Sequence, residues 1–222
     1  MKIGFFGKGK MGGLTAQMAR ERGHEIAGVI DSKSFPRIPD EADVMIDFSQ
    51  GKGVLENLRL CIQSKKALII GTTGWDEQLQ EARALVESSS IGCLYSPNFS
   101  IGIYLFRQIV SFAAELMQPF EQYDMTGIEF HHKEKRDAPS GTAKALAEEV
   151  IKKLPRLKDF QFSSVRCGSI PGTHTLCIDG PADVITLSHE ARNRNGFAEG
   201  AVLAAEWIID KKGFFTLSDM LQ

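Results

Sequence analysis

The chain has 222 residues, with 26 Lys and Arg against 28 Asp and Glu and a formal net charge of −2 at pH 7. That length allows one large core or two modest ones, and the near-neutral balance supplies no field to draw nucleic acid or an anionic membrane. No apolar run approaches the roughly 20 residues of a membrane span, and the N-terminal hydrophobic stretch is a glycine-broken strand rather than a leader, so a cytoplasmic protein is expected.

The first 31 residues read as strand, glycine turn, helix and strand. Ile3 to Phe6 is the first strand, and Gly7, Gly9 and Gly12 then form GxGxxG. In such a motif the first glycine permits a tight turn, the second lets a pyrophosphate approach the backbone, and the third packs helix against strand. Leu14 to Met18 continues as helix, and Ile26 to Ile30 forms a second strand ending in Asp31, at about the distance expected of a ribose-hydroxyl acceptor. A tight βα turn without a nucleotide would use the same glycines. The Asp31 carboxylate favours NAD, whereas Lys33 could offset its repulsion of the NADP phosphate, so NADH and NADPH both remain open.

Strand and helix keep alternating. Ala42 to Ser49 is a short apolar strand, Lys52 to Ser64 a helix, and Ala67 onward a strand running into Gly71-Thr72-Thr73-Gly74. That turn lies at the carboxyl end of a parallel strand, where open α/β sheets bind ligands. A helix from Asp76 to Val86 and a strand from Ile91 to Tyr95 follow. The link from Asp31 to Ala42 is too short for an extra helix and strand, which makes this a trimmed dinucleotide fold. The four cysteines, Cys61, Cys93, Cys167 and Cys177, form no CxxC pair and read as reduced, mostly buried thiols.

Ser96-Pro97-Asn98-Phe99-Ser100 is a polar turn opening a long helix from Ile101 to Met117. The pattern then changes to β-rich runs, Gln122 to His132, Gln161 to Gly168, Thr173 to Ile178 and Val184 to Glu190, which would make a separate sheet. Gly196 to Lys211 is helical, with Phe197, Ala201, Ala204, Ala205 and Ile208 on one side, and is expected to pack back on the first domain. The fold expected is α/β: an N-terminal Rossmann dinucleotide-binding domain over 1–97 and 195–222, plus an α+β domain with a mixed sheet over 98–194.

The stretch from Glu129 to Leu146 is the richest in chemistry. Strand alternation sends His131 and His132 to opposite faces, so only one of them looks into a given cleft. Lys135 follows, and Asp137-Ala138-Pro139-Ser140 reads as a loop entering a helix with Ser140 as N-cap. Ala143, Leu146, Ala147, Val150, Ile151 and Leu154 recur at helical spacing until Pro155 ends the run. The backbone N–H groups of Ser140, Gly141 and Thr142 are expected to be unpaired at the positive end of the helix dipole, where a carboxylate is the natural guest; plain capping is the alternative. Adjacent histidines lack the i, i+4 spacing of a helical zinc motif, so no metal is expected.

Taken together, these motifs resemble the dihydrodipicolinate (4-hydroxy-tetrahydrodipicolinate) reductase family over nearly the whole chain. The resemblance rests on the glycine turn with Met11-Gly12, IDFS from Ile46, GTTG from Gly71, SPNFSIG from Ser96, HHKEKRDAPSGTA from His131 and RNGFAEGA from Arg194. The string from His131 is specific to that family, whereas the glycine turn is shared by many dehydrogenases. The resemblance implies NADH- or NADPH-dependent reduction of a cyclic dicarboxylate, 4-hydroxy-tetrahydrodipicolinate, to tetrahydrodipicolinate on the diaminopimelate route to lysine. It also implies a homotetramer assembled through the β-domain, with Arg194 to Phe197 near a hinge. His131 would be the acid/base residue and Lys135 the proton donor, with Lys133, Arg136 and the histidines as candidate neighbouring cations. His132, Lys135, Ser140, Gly141 and Thr142 would hold the substrate. Gly7, Lys8, Gly9, Lys10, Met11, Gly12, Asp31, Gly71, Thr72, Thr73, Ser96, Pro97, Asn98 and Phe99 would surround the cofactor.

The chain departs from the family at Lys10 and Ser32, where arginine is usual, and over Ser169 to His174, which lacks an expected acid. A different Rossmann oxidoreductase acting on an amino acid or semialdehyde would not need the anion site at Ser140. A non-catalytic NAD(H) sensor would bind the dinucleotide without turnover.

Overall fold

Parallel pairing starts at the amino terminus. In the computed structural model, which describes residues 1–31 and 37–222, β1 (Lys2–Phe6), α1 (Lys10–Glu21), β2 (Glu25–Ile30) and β3 (Val44–Asp47) open the chain. They are followed by α2 (Val54–Gln63), β4 (Ala67–Ile70), α3 (Leu79–Glu87) and β5 (Gly92–Tyr95). Gly12, Thr15, Ala16 and Ala19 are the buried positions of α1, the spacing of one helix face. No helix occurs between β2 and β3 among the described residues, and β1 pairs directly with both of those strands.

The second unit contains α4 (Ile101–Leu116), β6 (Asp124–His131), α5 (Gly141–Lys153), β7 (Phe162–Arg166), β8 (Thr173–Asp179) and β9 (Val184–Glu190). Its sheet order is β7-β6-β8-β9, with β6 and β7 parallel and the other pairs antiparallel. Phe106, Val110 and Ala114 of α4 and Leu146, Ala147 and Val150 of α5 share a buried core with Met125, Phe162, Leu176 and Ile178 of the sheet.

The chain then returns to the first unit through α6 (Asn195–Ile208), β10 (Gly213–Thr216) and α7 (Leu217–Leu221). The helix expected to run to Lys211 stops at Ile208, and a sixth strand not anticipated from the sequence pairs in parallel with β5, giving the order β10-β5-β4-β3-β1-β2. The GFFT run is too short to announce itself, and pairing with β5 makes it a strand. The first unit is discontinuous in the chain: residues 1–100 and 195–222 form it, and 101–194 form the other. All four cysteines are free. Cys61 and Cys93 are buried, but Cys177 is only partly so and Cys167 is exposed, which corrects the expectation of mostly buried thiols.

Small residues let α6 approach closely, with Ala198, Gly200, Ala201, Ala204 and Ala205 all buried. A Cβ on Gly200 would lie 1.9 Å from the carbonyl oxygen of Phe99, a backbone atom that cannot rotate away. Gly200→Ala is therefore expected to lower the unfolding free energy by about 2–3 kcal/mol in urea titrations. Gly13→Ala, with nothing within 4 Å of the added carbon, should be neutral or slightly stabilising.

Candidate functional site

Parallel strands deliver their carboxyl ends to one sheet edge, and in the first unit four loops gather there. Neighbouring loops are tied by Gly7 N–H to Ile30 O at 2.8 Å, Phe48 N–H to Phe6 O at 3.1 Å, Gly71 N–H to Asp47 O at 2.9 Å and Ser96 N–H to Ile70 O at 3.1 Å. Gly7 has φ of +87°, and a Cβ there would stand 2.7 Å from Phe48 O. A Cβ on Gly12 would lie 2.5 Å from Gly7 O. Gly9 differs: it is the N-cap of α1, nothing lies within 4 Å of its absent Cβ, and no side chain caps the helix. An open backbone at the positive end of a helix fits the pyrophosphate of a dinucleotide. Lys8 and Lys10 are exposed beside it and Met11 is half-buried. Asp31, at the end of β2, is ion-paired with Lys8. Ser32 and Lys33, which bear on cofactor preference, lie outside the described residues.

A buried acid that sequence reasoning missed organises the other loops. Asp47 has no exposed surface; its Oδ1 accepts from Ser49 N–H at 2.8 Å and the Thr72 hydroxyl at 2.7 Å, and its Oδ2 from the Asn57 amide at 2.8 Å. Thr72 is thus buried and engaged, while Thr73 is exposed. Ser96 donates to Asn98 O at 2.6 Å, and the Asn98 side chain accepts from Ser100 N–H at 2.8 Å. Pro97 is exposed, and Phe99 is buried edge-on to Phe48. A charge closing the apolar run Val44-Met45-Ile46 was the available signal for Asp47.

In the second unit the inward face of β6 carries Met125, Gly127, Glu129 and His131 in alternation. The strand ends at His131, which is buried, and His132 beyond it is half-buried. Register places Ser164 and His174 beside Glu129, and Arg166 beside His131. Glu129 has no exposed surface, yet its Oε1 takes three donors: Ser140 N–H at 2.9 Å, Ser164 hydroxyl at 2.7 Å and Arg166 Nη2 at 2.9 Å. Its Oε2 lies 3.3 Å from His131 Nδ1 and 3.5 Å from His174 Nε2. Burial pushes the Glu129 carboxyl up, but those hydrogen bonds more than offset it and hold the pKa at about 2.

Burial holds the His131 pKa below its ordinary value, with Glu129 opposing and Lys135 and Arg166 assisting. Burial, then His131, pushes His174 down to about 4. Glu129, His131 and His174 bring ligand-type atoms within 4.8 Å of one another, a cluster the adjacent-histidine argument did not consider. The Arg166 guanidinium on the same carboxylate disfavours a second cation there.

Ser140 is the N-cap as expected, its hydroxyl accepting from Ala143 N–H at 3.1 Å. Its own N–H is not unpaired, however. It is consumed by Glu129, and Ser140 is 2% exposed, so the expectation of three open N–H groups is corrected: a strand acid behind the helix satisfies the first. The Asp137 carboxylate accepts from Gly141 N–H and pairs with Lys135 Nζ at 2.8 Å. The partner of Lys135 here is thus an anion rather than a neighbouring cation. Gly141 is exposed with nothing within 4 Å of an added Cβ, and Thr142 is half-buried. Arg166 Nη2 also donates to Asp137 O at 2.5 Å, tying the loop to β7. Glu129, His174 and Arg166 were missed by motif reading, although Glu129 shares the strand face of His131 by alternation.

Family models described as "Dihydrodipicolinate reductase, N-terminus" and "Dihydrodipicolinate reductase, C-terminus" match residues 1–99 and 102–221. The chain is 34% identical to a 4-hydroxy-tetrahydrodipicolinate reductase of Christiangramia forsetii, covering 100% of this chain and 98% of that one. It is 36% identical to another of that name from Archaeoglobus fulgidus, over 82% and 77% of the two. A dipicolinate-bound dihydrodipicolinate reductase from Paenisporosarcina sp. TG-14 superposes with a TM-score of 0.80 at 27% identity, over 97% of each chain.

The buried cluster sets an acid limit on stability. The unfolded chain protonates His174 near pH 6.5 and the folded chain only near 4, so stability falls as pH drops through that window. Glu129, held near 2 against an ordinary 4.5, adds a second loss between those values. Denaturant titrations from pH 7 to pH 4 should show a loss of roughly 3 kcal/mol from His174. His174→Asn should shrink the loss in that upper window to the part left by His131 and His189, whose pKa values burial also lowers, and leave the lower window in place.

Proposed function

The chain belongs to the dihydrodipicolinate reductase family, and we infer that it reduces 4-hydroxy-tetrahydrodipicolinate to tetrahydrodipicolinate with NADH or NADPH, on the diaminopimelate route to lysine. The observation that carries the reading is local: Lys135 Nζ and the N–H of Gly141 already converge on one carboxylate, that of Asp137. A substrate carboxylate displacing Asp137 would meet an ammonium and a helix-start amide without further rearrangement of either.

Reduced nicotinamide, when bound, supplies the hydride. Residues 1–100 and 195–222 are the dinucleotide-binding part in this reading: the Gly7, Gly9 and Gly12 turn with Lys8, Lys10 and Met11 takes the pyrophosphate, and Asp31 the ribose. The Gly71, Thr72 and Thr73 loop and the Ser96, Pro97, Asn98 and Phe99 turn, braced by Asp47, complete the surround. Residues 101–194 hold the substrate through His132, Lys135, Gly141 and Thr142. Ser140 supports that site as a cap, its polar groups being engaged inside the protein. His131 serves as acid/base group and Lys135 as proton donor, once its pairing with Asp137 opens. A cytoplasmic homotetramer is consistent with the exposed Val184 and Ile185 of edge strand β9.

The test supplies the condensation product of pyruvate and aspartate semialdehyde and follows loss of NADH and of NADPH in parallel. Wild type should consume at least one of them. Lys135→Ala is expected to lower kcat about 100-fold or more with unchanged cofactor affinity, and Thr142→Val to raise the substrate KM about tenfold. Light scattering should give four times the chain mass. Equal loss of turnover and cofactor binding in Lys135→Ala would contradict the role given to that residue.

A further inference from the structure

One carboxylate oxygen in the second unit is unaccounted for. Glu129 Oε1 is saturated by Ser140, Ser164 and Arg166, whereas Oε2 and His131 Nδ1 are both buried without a hydrogen-bond partner among the described residues. They face each other at 3.3 Å, within hydrogen-bonding range but not aligned. A buried polar atom left without a partner is destabilising, and here one proton satisfies two such atoms. With the imidazole proton on Nδ1, the N–H points at a carboxylate oxygen. With it on Nε2, two lone pairs confront one another, one of them on an anion.

We propose that Glu129 is a positioning residue that fixes His131 in the Nδ1-protonated form, leaving Nε2 unprotonated for proton transfer, while its other oxygen anchors the first amide of the substrate-binding helix start. The inference rests on the reading of His131 as the acid/base group and deepens it. Both functions follow from the sheet. Residues two apart on β6 share a face, so Glu129 stands beside His131, and its far oxygen reaches Ser140 at the start of α5. Gly172 leaves room at the other ring nitrogen: a Cβ there would sit 3.0 Å from His131 Nε2.

The charged and titratable groups around the ring are Glu129, Lys135, Asp137, Arg166 and His174. Glu129 stays ionised at any working pH, and the two nearby cations oppose a charged imidazole. His131 is therefore a neutral base whose tautomer, not whose charge, is in question. His174 is the rival donor to Oε2, but its Nε2 is farther, at 3.5 Å, and is shared with the Ser140 hydroxyl at 3.3 Å.

Glu129→Gln separates positioning from mere support. The three donors around Oε1 select the amide oxygen for that side, which turns the amide NH2 toward His131 Nδ1 and forces the imidazole proton onto Nε2. Nitrogen-edited NMR of the His131 ring, on the whole protein without substrate, should give the Nδ1-protonated pattern in wild type and the Nε2-protonated pattern in Glu129→Gln. The variant should also lose about 100-fold in kcat and the basic-nitrogen limb of its pH profile, with cofactor affinity kept. An Nε2-protonated ring in wild type overturns the proposal, and that spectrum needs no variant to fold. So does a Glu129→Gln protein with unchanged tautomer and pH profile. Should wild type carry the Nδ1 proton yet fail to reduce the cyclic dicarboxylate with either nicotinamide, the reductase reading falls and the ring placement stands.

Discussion

Burying the Glu129 carboxylate would be prohibitive without donors, and much of the second unit is arranged to supply them. The donors come from two elements: the Ser140 amide at the start of α5, and Ser164 and Arg166 of the adjacent strand β7, the latter also gripping the loop at Asp137. Because one acid collects all three, the helix start, the loop and the sheet cannot shift independently. Lys135 and Gly141 lie within that fastened segment, where both meet the Asp137 carboxylate.

The first unit solves a related problem differently. There the ligand-facing element is bare backbone, and its shape is set by what side chains would collide with: Phe48 O at Gly7 and Gly7 O at Gly12. Asp47 then plays a part parallel to that of Glu129, collecting the Ser49, Thr72 and Asn57 donors at the end of β3. In both units a fully buried acid on a strand holds a neighbouring loop through the side chains and amides it engages. Thr72 and Ser140 brace their sites from behind, while Thr73 and Gly141 remain exposed.

Periodicity and glycine placement were enough to read the α/β alternation, the trimmed link before Ala42, the helix from Ser140 and a separate second sheet. Those features are local, and the sequence carries them in short windows. What escaped was set by pairing across the chain. Strand β10 exists because Phe214 falls beside Cys93, and Arg166 and His174 matter because register sets them next to His131 and Glu129. Glu129 was within reach, since a charged residue two positions before His131 must share its face. The occupied N–H of Ser140 was not legible, because the acid that takes it lies 11 positions earlier on another element.

The most direct measurement is a crystal structure of the protein soaked with pyridine-2,6-dicarboxylate. The expected result is one ligand carboxylate against Lys135 Nζ and the Gly141 amide, with the Asp137 side chain turned away and Glu129 still holding Ser140. A ligand bound elsewhere, with the Lys135–Asp137 pair intact, would contradict it.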